Sequence, residues 1–125
     1  MARILVVDDL KLERLLLQGL LRRAGHETVV ACDGAEALEI YRRVVIDVVV
    51  TDLQMPNVDG LELIAALGVM SPPPHVIAVS GAGEDELRKA RVAGVHATFS
   101  KPVDSRGLLH AIAQVMAARE GREVG

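Results

Sequence analysis

Ile4-Leu5-Val6-Val7-Asp8-Asp9 runs four aliphatic residues, three of them β-branched, straight into two adjacent acids. An unbroken apolar run of this length, with no polar alternation, marks a strand buried on both faces, as in a parallel sheet. The period then changes. Leu12, Leu16 and Leu20 form one helical row with Leu17 and Leu21 beside it, over residues 11–23, and Ala24-Gly25 supplies a stop. Outward from this first unit the same alternation repeats. Thr28–Ala31, Val48–Val50, Val76–Val79 and Ala97–Phe99 read as four further strands. Between them, Asp33-Gly34-Ala35-Glu36 starts a helix through about Arg43, with Leu38 and Tyr41 inward, and Asp59-Gly60 opens one carrying Leu61, Ile64 and Leu67. Glu84 to Ala93 form a polar helix, and Asp104 caps a last one whose Leu108, Ile112, Val115 and Met116 share a face. Strands alternating with helices imply βαβ units, hence a single doubly wound α/β sheet of five parallel strands with helices on both faces.

In open α/β sheets, sites form at the carboxyl ends of the strands. Asp8 and Asp9 directly follow the first strand, Asp52 the third and Lys101 the fifth, while Ser80 ends the fourth. Carboxylates crowded at one edge repel one another, and burying them unpaired is costly. A hard divalent cation relieves this, and oxygen ligands without a Cys or His partner favour Mg²⁺ over zinc. Such an ion also orients a phosphoryl group, whose remaining oxygens can meet the Lys101 charge and the Ser80 hydroxyl. Taken singly, each residue has a plainer reading: helix-capping acids, a loop acid, a turn hydroxyl, a solvated lysine. Their joint placement at successive strand ends sets those readings aside.

These stretches resemble the receiver domain of two-component response regulators. The resemblance is carried by Ile4-Leu5-Val6-Val7-Asp8-Asp9, by Val50-Thr51-Asp52-Leu53-Gln54-Met55-Pro56 with Asp59-Gly60, by Ala78-Val79-Ser80-Gly81 and by Ser100-Lys101-Pro102. It runs from about Arg3 to Ala118. Any one of these motifs is weakly specific, whereas the ordered set is highly specific. The resemblance implies a flavodoxin-like sheet with strand order 2-1-3-4-5. It implies Asp52 as phosphoacceptor, Asp9 as a direct Mg²⁺ ligand, Asp8 acting through water or behind it, and the Gln54 carbonyl completing the protein ligands. Lys101 would pair with the acyl phosphate, Ser80 would be the switch hydroxyl, and the Lys101-Pro102 bond would be cis. The implied partners are a sensor histidine kinase or phosphotransfer protein and an output partner or fused output domain of unknown identity. Two positions depart from the pattern. Thr98 stands where receivers usually carry Tyr or Phe, with Phe99 one residue later and turned to the opposite face by strand alternation. Ala82, two past the switch hydroxyl, offers no side-chain hydrogen bond.

Composition narrows the rest. The 125 residues, 50% hydrophobic and 25% charged, suit one globular domain and not a disordered chain. That domain is expected over residues 1–119, with 120–125 a flexible tail or linker stub. Tyr41 and Phe99 are the only aromatics, which argues against a stacking surface for single-stranded nucleic acid. A net charge of −3 gives no attraction to DNA or anionic lipid. No apolar run reaches the roughly eighteen residues needed to span a bilayer, and the first one stops at Asp8, too short for a signal peptide. A lone Cys32 cannot form an internal disulfide and is expected to be an inert packing residue, so a cytoplasmic protein is expected. An aspartyl-phosphate hydrolase is the first alternative, but Gln54 stands where such phosphatases place their second acid. A flavin-binding or purely structural flavodoxin-like module is the second. It is disfavoured because the flavin phosphate would meet carboxylates rather than a glycine-rich helix N-terminus.

Overall fold

Each apolar run becomes a strand and each periodic stretch a helix. The computed structural model describes residues 1–55 and 58–124, with side chains through Arg119. The order is β1 (Arg3–Val7), α1 (Lys11–Arg23), β2 (Glu27–Ala31), α2 (Gly34–Arg43), β3 (Val48–Asp52) and α3 (Gly60–Gly68). It continues with β4 (His75–Ser80), α4 (Glu84–Val92), β5 (Ala97–Ser100) and α5 (Ser105–Val124). Pro56 of the motif quoted above lies outside the described residues, as do Gly125 and the side chains of residues 120–124.

The strands form one parallel sheet in the order β2-β1-β3-β4-β5. Alternation along each strand divides its side chains between two cores. Leu5, Val7, Val49, Val76 and Ala78 face α2, α3 and α4, meeting Ala37, Leu63, Leu67, Leu87 and Ala90. Ile4, Val6, Val48, Val50, Ile77 and Val79 face the other way, where Leu21 of α1 and Leu108, Ile112 and Val115 of α5 cover them. Full burial of each such Leu, Ile or Val contributes about 1.5–3 kcal/mol, which fixes both layers against the sheet.

Local chemistry places the helix ends. Asp33 and Asp59 each accept a hydrogen bond from the backbone N–H three residues on, at 2.8 and 2.9 Å, and so cap α2 and α3. Asp104 accepts from Arg106 N at 3.2 Å and caps α5. Gly25 takes a φ of 93° just after α1, a conformation glycine adopts at little cost.

Two expectations need correction. Of the two leucine rows on α1, Leu17, Leu20 and Leu21 turn toward the sheet, whereas Leu12 and Leu16 are 70% and 63% exposed. The apolar arc of this helix is wider than the sheet surface it covers. Cys32 is exposed and not a packing residue, because it follows edge strand β2 in the turn before α2. Its thiol lies against the carboxylates of Glu36 and Asp33. The hydrogen bond to Glu36 above all raises its pKa and keeps it a thiol.

Candidate functional site

Strand parity decides which polar residues meet. Asp52 ends β3 on the side of Val48 and Val50; Asp8 and Lys101 lie one residue past β1 and β5, in step with Ile4 and Val6 and with Ala97 and Phe99. All three therefore emerge on the face that α1 and α5 cover. Asp9 and Ser80 have the opposite parity.

Lys101 Nζ lies at the centre of this group. It donates to Asp52 Oδ2 at 3.1 Å and to Asp8 Oδ2 at 3.4 Å, and it is in contact with Glu13 Oε2 from the first turn of α1. Carboxylate oxygens of Asp8, Glu13 and Asp52 all lie within 4.8 Å of one another. Asp8 and Asp52 are only 1% and 5% exposed. The remaining oxygens are held by backbone: Asp8 Oδ1 accepts from Leu10 N at 2.9 Å, and Asp52 Oδ1 from Gln54 N at 3.1 Å. Arg14 donates to the Asp8 carbonyl at 2.8 Å and fixes the turn from β1 into α1.

The electrostatics follow from this crowding. Burial pushes the Asp8 carboxyl up to about 6; the Leu10 N–H and the Lys101 charge pull against that, and the Asp52 and Glu13 charges add to it. Glu13 is held below its ordinary value, first by its hydrogen bond to Lys101. Burial alone would lower the Lys101 pKa. Its bonds to Glu13 and Asp52 more than offset that, so the ammonium stays charged. Three carboxylates around one ammonium leave an excess of negative charge. The donor set is all hard oxygen, which fits a divalent cation of the Mg²⁺ type.

The other expected residues are placed as follows. Ser80 is fully buried, and its Oγ accepts from Ala82 N at 3.0 Å. Asp9 is exposed on the turn before α1 and stands outside the carboxylate trio. Gln54 is exposed, and its backbone N–H is directed at Asp52. The Lys101-Pro102 bond is cis. Thr98 and Phe99 pair with Ala78 and Val79 on opposite faces: Phe99 joins the core under α5, while Thr98 Oγ1 accepts from Arg91 of α4 at 2.8 Å. Glycine brings α3 close behind the acid: a Cβ on Gly60 would stand 2.4 Å from the Asp52 carbonyl oxygen and from Leu53 Cα.

Glu13 was not among the residues that the sequence nominates. A signal for it exists. The helix that follows β1 begins over the carboxyl edge of the sheet, so an acid in its first turn is drawn to the same lysine.

Fold and site together define a phosphoacceptor-type signalling module, with an acid-and-lysine cluster at the carboxyl edge of a doubly wound sheet. The model for the response regulator receiver domain matches residues 4–113, and the chain belongs to that family. It is 32% identical over 103 residues to sporulation initiation phosphotransferase F of Bacillus subtilis, covering 82% of this chain and 83% of that one. It is 31% identical over 117 residues to the chemotaxis protein CheY of Halobacterium salinarum, covering 93% and 98%. Other relatives are much longer. The chain spans 16% of the sensory/regulatory protein RpfC of Xanthomonas campestris, with 31% identity over 118 residues. Among solved structures, a response regulator receiver domain protein from Clostridium thermocellum superposes with a TM-score of 0.90 at 30% identity, covering 96% of this chain and 98% of that one. Among the described residues, no helix is long and apolar enough to cross a membrane.

Proposed function

We propose that Asp52 accepts a phosphoryl group from the phosphohistidine of a sensor kinase or phosphotransfer protein, and that this modification changes what the domain binds. The observation that carries the reading is the state of Asp52. It is nearly buried, yet one oxygen is held by Gln54 N–H and the other by the Lys101 ammonium at 3.1 Å. A carboxylate so held is aimed and cannot swing away from an incoming phosphorus. Asp52 Oδ attacks phosphorus, the P–N bond breaks, and its electron pair leaves on the histidine nitrogen. Lys101 stands where negative charge gathers on the phosphoryl oxygens, so catalysis here is mostly positioning and electrostatics.

Asp8, Asp9, Asp52 and the Gln54 carbonyl would hold a Mg²⁺ ion. When bound, the cation supplies charge neutralisation between acceptor and phosphoryl oxygens. Ser80 gives up its bond to Ala82 N to donate to the new phosphoryl group, drawing the loop ahead of α4 with it. The domain acts as a cytoplasmic signalling module, assisting its own phosphorylation and hydrolysis and turning over no separate substrate. Residues 1–119 form this unit, α5 runs on from it to Val124 as a tail or a stub leading to an output domain, and neither nucleic acid nor membrane is a direct ligand.

Incubation with acetyl phosphate and Mg²⁺, followed by intact mass and peptide mapping, tests the assignment. Wild type should gain one phosphoryl group on the peptide carrying Asp52, and Asp52→Asn should gain none. Undiminished labelling of Asp52→Asn would place the acceptor elsewhere.

A further inference from the structure

Lys101 has more partners than phosphoryl chemistry requires. Asp52 and Asp8 come from strand ends and are fixed by the sheet. Glu13 comes from a helix, meets the ammonium beside the two aspartates, and has a side chain 37% exposed against 19% for the lysine. Nothing in the hydrogen bonds of α1 requires a carboxylate there: α1 starts at Leu10 without side-chain capping. The most direct partner of Glu13 is Lys101.

We propose that Glu13 is a latch on Lys101: it holds the ammonium toward α1 while Asp52 is free, and it must release the lysine when Asp52 carries a phosphoryl group. The inference rests on Asp52 being the acceptor. Phosphorylation adds about −1.5 to −2 of charge and three acceptor oxygens beyond the Asp52 carboxylate. One ammonium cannot keep full contact with Glu13, Asp8 and those oxygens together, and the more highly charged group wins. Glu13 therefore competes with the phosphoryl group, weakening the phosphorylated state relative to the free one. The competition also gives α1 a direct report of phosphorylation. Once released, Glu13 is a first-turn acid without its ammonium, next to the exposed Leu12 and Leu16. Glu13 is thus a positioning residue, acting through Lys101 and not on the reacting atoms.

Beryllofluoride, which stands in for the phosphoryl group, provides the test at saturating Mg²⁺. Affinity and amide shifts are followed by NMR in wild type, Glu13→Gln and Glu13→Asp. Glu13→Gln should bind about 3- to 5-fold more tightly, the range expected when a half-exposed ion pair no longer competes. Wild type should show beryllofluoride-dependent shifts in residues 11–16, and Glu13→Gln should lose them. Glu13→Asp keeps the charge but is one methylene too short for the contact, so it should behave as Gln does. Wild-type behaviour in Glu13→Asp would make the effect one of diffuse charge and overturn the latch. Weaker binding by Glu13→Gln would make Glu13 a cation ligand, also overturning it. Equal binding in all three proteins would overturn the latch and leave the Asp52 assignment standing. If wild type takes up no beryllofluoride at Asp52, the acceptor assignment falls and the latch falls with it.

Discussion

Replacing Asp8 with Asn should stabilise the cation-free protein at neutral pH, and the gain should disappear in acid. Asp8 is fully enclosed, and its carboxyl is pushed from an ordinary 3.8 up to about 6, chiefly by burial. The folded state therefore binds a proton that the unfolded chain releases, and this preference adds stability below pH 3.8. The contribution is lost as the pH rises through about 6, because the folded site must then carry a charge that its surroundings disfavour. Moving the carboxyl from 3.8 to about 6 corresponds to about 3 kcal/mol, an upper limit here, since Asn places an amide rather than a carboxylate opposite Lys101. The amide oxygen can still accept from Leu10 N, so the turn into α1 should survive. Urea denaturation of wild type and Asp8→Asn in EDTA, at intervals from pH 4 to 8, reads the difference directly. The two curves should lie closest at pH 4, separate progressively as the pH rises toward 6 and stay apart by a constant amount above it, with the variant more stable. Mg²⁺ should narrow the gap, because a ligand bound to the folded state stabilises it in proportion to its occupancy and the variant site holds the cation less well. A variant less stable than wild type at pH 7.5, or a gap that widens toward acid, would refute the reasoning.

Gly60→Ala should cost about 3 kcal/mol or prevent folding, since its Cβ would meet backbone atoms of Asp52 and Leu53 at 2.4 Å; thermal melts of the two proteins measure this. Ser80→Ala should still bind beryllofluoride but lose most of the resulting amide shifts in residues 84–99, whereas Thr98→Ala should keep most of them. The reverse order would assign the switch to Thr98. Asp33→Ala should lower stability by about 1 kcal/mol through loss of the α2 cap, seen as a shifted urea midpoint with unchanged slope.

Most of the fold can be read from period alone, because both faces of a parallel sheet are covered and its strands are left as unbroken aliphatic runs. Val48-Val49-Val50 reads as a strand covered on both faces, and β3 lies between β1 and β4; the strand order itself came from the resemblance. Periodicity fails where apolar residues exceed the surface available to bury them. Leu12 and Leu16 satisfy the helical spacing as well as Leu17 and Leu21 do, and only the position of α1 across the sheet separates the exposed pair from the packed one. Cys32 departs from expectation for a related reason: residue type suggests burial, but it lies exposed in the turn after an edge strand.

The site shows a finer limit. Strand ends could be located from the sequence, so Asp8, Asp9, Asp52, Ser80 and Lys101 could all be brought to one edge. Which face of that edge each occupies depends on parity and register: Asp8 is in step with Ile4 and Val6, Asp52 with Val48 and Val50, and Lys101 with Ala97 and Phe99. Once the structure shows which parities share a face, alternation groups Asp8, Asp52 and Lys101 and sets Asp9 and Ser80 apart; strands that are apolar on both faces carry no such mark in the sequence. The same count shows where to look next. The three residues share the face covered by α1 and α5, so any acid in the first turn of α1 is within reach of the lysine, and Glu13 is that acid. A search confined to strand ends could not find it, because it is contributed by the layer above the sheet and reaches the lysine only after that layer has packed.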